Sequence, residues 1–118
     1  MDKKSEDVAC EACSDKAQAA GEDQITNFAT SCPEWEIKTE LDIIFLTRTY
    51  LFPDFVQASA FAEKVGTIAE QANHHPRIII EYGKTRVDWW SHKIANIHSL
   101  DLKLAADTDK LFKTNETK

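Results

Sequence analysis

The four histidines of this 118-residue chain, the side chains best suited to proton transfer near neutral pH, fall within one short stretch. His74 and His75 are adjacent, His92 and His98 follow downstream, and Asp101 comes close behind them. Because imidazole has an unperturbed pKa of about 6.5, it can both donate and accept protons. The residue types therefore suggest a general acid–base site, provided that the fold brings this stretch together.

A long helix is predicted immediately before the paired histidines. Pro53 and Asp54 suit a first helical turn, and apolar residues recur along one side of the following segment. The helix is expected to end near Asn73, because Pro76 disfavours the helical conformation in the residue before it and Asn tolerates a left-handed cap. His74 and His75 should therefore lie at a corner between a helix and a strand.

A β-hairpin is predicted after this corner, with strands at Arg77–Tyr82 and Thr85–Trp90. The loop Gly83–Lys84 has glycine in its first position, which is typical of a type II′ turn. That turn fixes a register in which Ile78 faces Trp89, and the apolar face of the hairpin should cover the helices.

Extending this register sets His92 opposite His75 and next to His74. A last helix, predicted from Ser99 as N-cap to about Lys113, places Asp101 in its first turn, where the helix N-terminus favours an ionised carboxylate. The sequence thus predicts that imidazoles and one carboxylate meet at one corner of the fold.

The remaining segments complete an order of α-β-β-α-β-β-α. A short helix is predicted at about 22–31, ended by Pro33, and β-strand patterns follow at 35–39 and 43–52. We expect a mobile acidic tail at 1–23, one domain at 24–113 and a frayed end at 114–118.

Composition excludes several classes of function. The net charge is −6 without a basic cluster, which argues against direct binding to nucleic acid. No apolar run approaches the roughly 20 residues that span a membrane, and no secretory signal is visible, so a cytoplasmic location with reduced thiols is expected. Cys10 and Cys13 form half of a zinc-site pattern, but Cys32 lacks a close cysteine partner, so ordinary thiols are favoured over a metal site.

Other chemistries fit the histidines less well. Adjacent His74 and His75 diverge, and no carboxylate stands at the spacing of helical metal motifs, so no metal is predicted. Ser91 lacks a nucleophile elbow, and the three glycines provide no phosphate-binding loop. A surface or capping role for the paired histidines stays open as the non-functional interpretation.

Several motifs together resemble the pterin-4α-carbinolamine dehydratases over about residues 24–113. They are Glu70-x3-His74-His75-Pro76, Tyr82, Trp89-Trp90-Ser91-His92 and Asp101, and the Cys10/Cys13 opening is similar to the bacterial branch. The resemblance implies an α+β two-layer sandwich, with a four-stranded antiparallel sheet and three helices on one face. It also implies dehydration of 4a-hydroxytetrahydropterin without a cofactor, a homodimer or homotetramer, and phenylalanine hydroxylase as a candidate partner.

The resemblance also implies roles for individual residues. Its catalytic positions are His74, His75, His92 and Asp101, with His75 and His92 expected as the acid–base pair nearest the reacting carbon. The positions expected to contact substrate are Glu70, Asn73, Pro76, Ile78 and Ser91.

Some positions depart from the family's animal members. Asn73, Ile78 and Leu100 stand where an acid, a tryptophan and an arginine are common there. His98 has no catalytic counterpart and is expected on the surface. The different-class alternative is a non-catalytic module of the same fold that binds other proteins or regulates gene expression, like the dimerisation cofactors of a homeodomain transcription factor. The natural pterin side chain stays open.

Overall fold

The elements follow one another in the predicted order. A computed structural model describes residues 18–116, which contain three helices and four strands. The elements are α1 (Glu22–Ser31), β1 (Glu36–Glu40), β2 (Ile43–Leu51), α2 (Phe55–Ala72), β3 (Arg77–Glu81), β4 (Lys84–Trp89) and α3 (Ser99–Glu116). The predicted α+β sandwich is confirmed.

The strands form an antiparallel sheet in the order β1-β2-β4-β3, and the helices cover one face. Leu46 and Tyr50 from β2 and Val87 and Trp89 from β4 are buried on that face, as two-residue alternation along a strand requires. Phe61 lies among the buried side chains that α2 contributes to the same core. The core therefore lies between the sheet and the helices.

The predicted register of the β3–β4 hairpin is wrong by two residues. Ile78 pairs with Val87, and Ile80 pairs with Thr85, so the loop is Tyr82–Gly83 and glycine occupies its second position. Gly83 has a φ of 72°, and a Cβ there would lie 3.1 Å from the carbonyl oxygen of Phe52. A shift of two residues keeps every side chain on its face, so the apolar alternation does not distinguish the two registers.

The C-terminal end of α2 confirms the prediction, whereas Pro53 and Asp54, predicted in its first turn, precede the helix. Asp54 is the N-cap, and its carboxylate accepts a hydrogen bond from the Gln57 backbone N–H at 2.8 Å. Asn73 closes the helix in the left-handed conformation, with φ 51°. The chain therefore turns sharply just before His74.

The segment before residue 24, predicted as part of the tail, contacts the rest of the chain at Ala20. The Ala20 N–H donates a hydrogen bond of 2.7 Å to the Ile97 carbonyl, and α1 begins at Glu22. The Ala20 side chain also packs against the core. Cys10 and Cys13 lie outside the described residues.

A cluster around Asp109 ties the middle of α3 to the sheet. Its Oδ1 accepts hydrogen bonds from Trp35 Nε1 at 3.0 Å, Arg48 at 2.8 Å and the Tyr50 hydroxyl at 2.5 Å. Burial, followed by the hydrogen bond to Asp109, raises the pKa of Tyr50 far above its ordinary value. Burial and then the nearby Asp109 charge also raise the pKa of the Cys32 thiol. The Tyr50 phenol therefore stays protonated well above its ordinary pKa.

Within residues 18–116, no helix combines the length and the apolarity that crossing a membrane requires.

Candidate active site

Asp101 binds His74 in the histidine corner, the group formed by His74, His75, His92 and Asp101. Its side chain is fully buried in the first turn of α3. Oδ1 lies 2.6 Å from His74 Nε2, while Oδ2 accepts hydrogen bonds of 2.8 Å from both the Ser91 hydroxyl and the His98 backbone N–H. With Oδ2 occupied twice, the carboxylate presents Oδ1 to the imidazole.

His74 is buried against this carboxylate. Its ring stacks on Trp89, with centroids 6.1 Å apart and an interplanar angle of 11°. Trp89 is itself held by a hydrogen bond of 3.2 Å from Nε1 to the Thr108 hydroxyl on α3. Because Asp101 accepts at Oδ1, the Nε2 of His74 carries a proton toward it. The pair therefore has a fixed orientation.

His75 and His92 face solvent beside this buried pair. His75 Nε2 is hydrogen-bonded to the carboxylate of Glu70, one helical turn back on α2, and both side chains are exposed. His92 Nε2 lies 3.3 Å from the His75 carbonyl oxygen, and its ring lies 4.7 Å from that of Trp90. His92 follows the end of β4, so it reaches His75 from a loop rather than as its ladder partner.

His98 was predicted on the surface and is instead 2% exposed. It precedes α3, where its Nδ1 accepts a hydrogen bond of 3.1 Å from the Leu100 N–H. Its own N–H donates to Asp101, so the two residues form a capping box. The N-cap of α3 is therefore His98, and the prediction of Ser99 at this position is wrong by one residue. The spacing of Asp101 three residues after His98 is the sequence signal for this arrangement, although histidine is not a preferred N-cap.

The other residues predicted to contact substrate lie at the end of α2, at the start of β3 and after β4. Asn73 is exposed at the end of α2, Pro76 is half-buried before β3, and Ile78 is half-buried on β3. Ser91 is fully buried, and its N–H donates a hydrogen bond of 2.9 Å to the Asn96 carbonyl. Ser91 is therefore placed to hold Asp101, and its hydroxyl is turned away from solvent.

The arrangement supplies two exposed imidazoles next to a buried imidazole–carboxylate pair. Such groups can give and take protons at neighbouring points without further chemistry from the protein. Within residues 18–116, no group of three or more His, Cys, Asp and Glu side chains is arranged to hold a metal ion.

Comparison with known proteins decides the family. The family model described as Pterin 4 alpha carbinolamine dehydratase matches residues 18–111. The chain belongs to this family. A Nitrosococcus oceani relative whose name places it among the pterin-4-alpha-carbinolamine dehydratases is 44% identical over 104 residues, 88% of this chain and 92% of the relative. A Chlorobium limicola relative of the same name is 39% identical with the same coverage.

Solved structures support the fold of this dehydratase family member. A Brucella melitensis protein titled a transcriptional coactivator/pterin dehydratase superposes with a TM-score of 0.69 at 22% identity, covering 80% of this chain and 98% of that one. A pterin dehydratase-like protein titled a RuBisCO assembly factor in the alpha-carboxysome has a TM-score of 0.55 at 18% identity, covering 66% and 88%. The predicted family is therefore confirmed, and so is the predicted enzyme class, dehydratase, at the level of the family.

Proposed function

We propose that this protein catalyses the dehydration of 4a-hydroxytetrahydropterin to quinonoid dihydropterin and water. The family and its relatives' names support the pterin substrate class. The residues His75 and His92 are the proposed acid–base pair. His74 assists them, and Asp101 orients His74 and stabilises its charged form.

The proposed reaction needs one proton delivered and one removed. The C4a–OH bond breaks, and the leaving hydroxide takes a proton from an imidazolium to become water. A neutral imidazole removes a proton from the ring nitrogen, and the released electron pair forms the new C=N bond. Two imidazoles in opposite protonation states supply both steps, and the overall reaction is balanced without an oxidant or reductant.

The observation that carries the proposal is the pairing of exposed and buried imidazoles at one corner. His75 and His92 are exposed, so they can reach a substrate, and one ring nitrogen lies 3.3 Å from the other residue's backbone. His74 is 3% exposed and bound to Asp101, so it suits an assisting role. Glu70, bound to His75, is proposed to hold that imidazole or a pterin amine.

Measured dehydration rates test this proposal. Purified wild-type protein should accelerate loss of water from 4a-hydroxytetrahydropterin well above the uncatalysed rate. His75→Ala and His92→Ala should each lower kcat by about 10²- to 10⁴-fold, the usual contribution of a general acid or base. Gln71→Ala, at an exposed position near the same end of α2, is the control and should retain wild-type kcat. A wild-type rate equal to the uncatalysed rate contradicts the proposal.

The family resemblance also supports a physiological setting. We propose that the protein is a cytoplasmic homodimer or homotetramer that recycles tetrahydropterin for an aromatic amino acid hydroxylase, with phenylalanine hydroxylase as the partner. Supporting an oligomer, β3 is an edge strand with Ile79 and Ile80 more than one-third exposed. Sedimentation velocity tests the assembly, and a monomer at micromolar concentration contradicts it.

A protein-binding module is the second candidate function. Exposed apolar side chains at Leu51, Phe55, Val56 and Tyr82 favour it, since large apolar groups in solvent often mark contact surfaces. Two solved structures with the same fold are titled as a transcriptional coactivator/pterin dehydratase and as a RuBisCO assembly factor. The dehydration assay separates the two candidates, because a purely binding protein leaves the uncatalysed rate unchanged.

A further inference from the structure

His98 is a buried histidine that the proposed acid–base steps do not use. It lies at the junction between the loop after β4 and the first turn of α3, and only 2% of its surface is exposed. Histidine is not among the residues preferred at N-caps, where Ser, Thr, Asp and Asn predominate. Its position next to the carboxylate that holds His74 therefore needs an explanation.

The hydrogen bonds of His98 fix both ends of the capping box. Nδ1 accepts from the Leu100 N–H at 3.1 Å, so this nitrogen is the unprotonated one. The His98 carbonyl accepts from the Asp101 N–H at 2.9 Å, and its N–H donates to Asp101 Oδ2 at 2.8 Å. The cap thus sets both the backbone position and the side-chain rotation of Asp101.

The rotation of the Asp101 carboxylate determines which of its oxygens faces His74 Nε2. Oδ2 is held by the His98 N–H and by the Ser91 hydroxyl, and this leaves Oδ1 directed at His74 Nε2 at 2.6 Å. If the first turn of α3 frays, the carboxylate loses its fixed rotation and the imidazole loses its partner. The chain of contacts runs from the His98 ring through α3 to His74.

We infer that His98 is a positioning residue, whose unprotonated Nδ1 caps α3 and thereby holds Asp101 in the orientation that fixes His74. The inference rests on the proposed dehydratase function for its kinetic consequence only. Its structural consequence concerns the bond between His74 and Asp101, which exists without substrate.

Two matched pairs of variants separate the cap from the bulk of the ring. His98→Thr and His98→Val have nearly the same shape, but only Thr offers an oxygen that accepts the Leu100 N–H. His98→Asn and His98→Leu repeat the comparison at larger volume, in case the smaller pair leaves a cavity too large for folding. Within each pair the lost ring is the same, and only the capping atom differs.

The expected result is a split in kcat within each pair. His98→Val and His98→Leu should lower kcat by about 10-fold or more, compared with the roughly 100-fold that a 1 Å misplacement can cost, and should leave KM nearly unchanged. His98→Thr and His98→Asn should retain most of the wild-type kcat. The His74 Nε2 proton, observed by NMR as a downfield imidazole resonance, should persist in His98→Thr and His98→Asn and should broaden or vanish in His98→Val and His98→Leu.

Asp54→Ala is the control for loss of a helix cap as such. Asp54 caps α2 through the Gln57 N–H and lies far along the chain from the histidines. This variant should lower the Tm without lowering kcat or changing the His74 resonance. The Asp54 variant therefore separates general destabilisation from loss of position.

Three outcomes overturn the inference. They are equal kcat in both members of a pair, a kcat loss in Asp54→Ala as large as in His98→Val, and a His74 resonance that is unchanged in His98→Val and His98→Leu. An inactive wild-type protein contradicts the proposed function instead, and the resonance then decides the inference by itself.

Discussion

Asp101 and Asp109 lie about two turns apart on α3, and each carboxylate receives several side chains or backbone groups. Asp101 accepts hydrogen bonds from an imidazole, a hydroxyl and a backbone N–H, and Asp109 accepts them from an indole, a guanidinium and a phenol. An imidazole exchanges its proton near neutral pH, whereas indole and guanidinium do not. Similar hydrogen bonding therefore makes one carboxylate suited to chemistry and the other to stability.

The neighbourhood of each carboxylate completes the contrast. In the histidine corner, His75 and His92 are exposed to solvent, whereas His74 is buried against Asp101. Around Asp109, Arg48 lies over the ring of Tyr50 at 4.4 Å, and the tyrosine is packed among other aromatic rings. Replacing each aspartate separately should therefore affect different properties of the protein.

Of the two aspartate replacements, Asp101→Asn should produce the larger effect on activity. The amide has only one acceptor oxygen, so it cannot hold His74 and also satisfy the two donors at Oδ2. We expect kcat for dehydration to fall by about 10²- to 10⁴-fold, as when an acid–base group is misoriented. Asp109→Asn, assayed in parallel, should keep kcat close to wild type. Equal losses in both variants would remove the distinction between the two sites.

Asp109→Asn should lower stability more than replacement of an exposed ion-pair residue on α3. Hydrogen bonds to charged groups contribute about 1.5 to 3 kcal/mol each, so we expect the free energy of unfolding to fall by about 2 kcal/mol or more. Urea denaturation measures it. Asp107→Asn is the control, because its partner Lys103 is exposed and surface ion pairs contribute less than about 1 kcal/mol. A stability loss no greater than that of the control contradicts the role assigned to Asp109.

Removing one hydroxyl that donates to each carboxylate tests the same comparison with a smaller chemical change. Ser91→Ala removes a donor to Asp101, and Tyr50→Phe removes a donor to Asp109. Each should lower the free energy of unfolding by about 1.5 kcal/mol, the low end of the range for a hydrogen bond to a charged group. Steady-state kinetics should show a lower kcat in Ser91→Ala only. A kcat decrease in Tyr50→Phe of the same size would show that the Asp109 cluster is coupled to the histidine corner.

The raised pKa of Tyr50 predicts the smallest effect, an alkaline loss of stability. Burial keeps the phenol protonated in the folded state, whereas the unfolded chain ionises near its ordinary pKa of 10.0. Because the folded state then binds more protons, stability is complete below pH 10 and decreases as the pH rises above it. Urea midpoints measured across that range should decrease in wild type and decrease less in Tyr50→Phe. Parallel curves would contradict the assignment.

The sequence predicts the order of elements because their signals are local. Proline, asparagine and an apolar stripe define α2, and the structure ends that helix at Ala72 as expected. The hairpin register fails because two alternatives separated by two residues bury the same side chains. The turn alone distinguishes them, and the left-handed conformation of Gly83 is compatible with either loop position.

The site was only partly predictable for a different reason. Residue type and position indicate His74, His75 and Asp101 as site residues, but the burial of His74 and the exposure of His75 depend on which carboxylate each one meets. The Asp109 cluster joins residues 59 to 74 positions apart, and no local pattern in a single sequence reports such partners. The sequence does not indicate that His98 is buried, because a capping role is rare for histidine.

The contacts of Asp101 also have a consequence for the order of folding. They join His74 and Ser91, which lie 27 and 10 residues away along the chain, and both bonds require α3 to dock on the sheet. Closing such loops costs chain entropy that only the final packing offsets. A partly folded species with an intact sheet and an undocked α3 would contain every histidine and remain inactive. During refolding, recovery of dehydratase activity should therefore report the docking of the last helix.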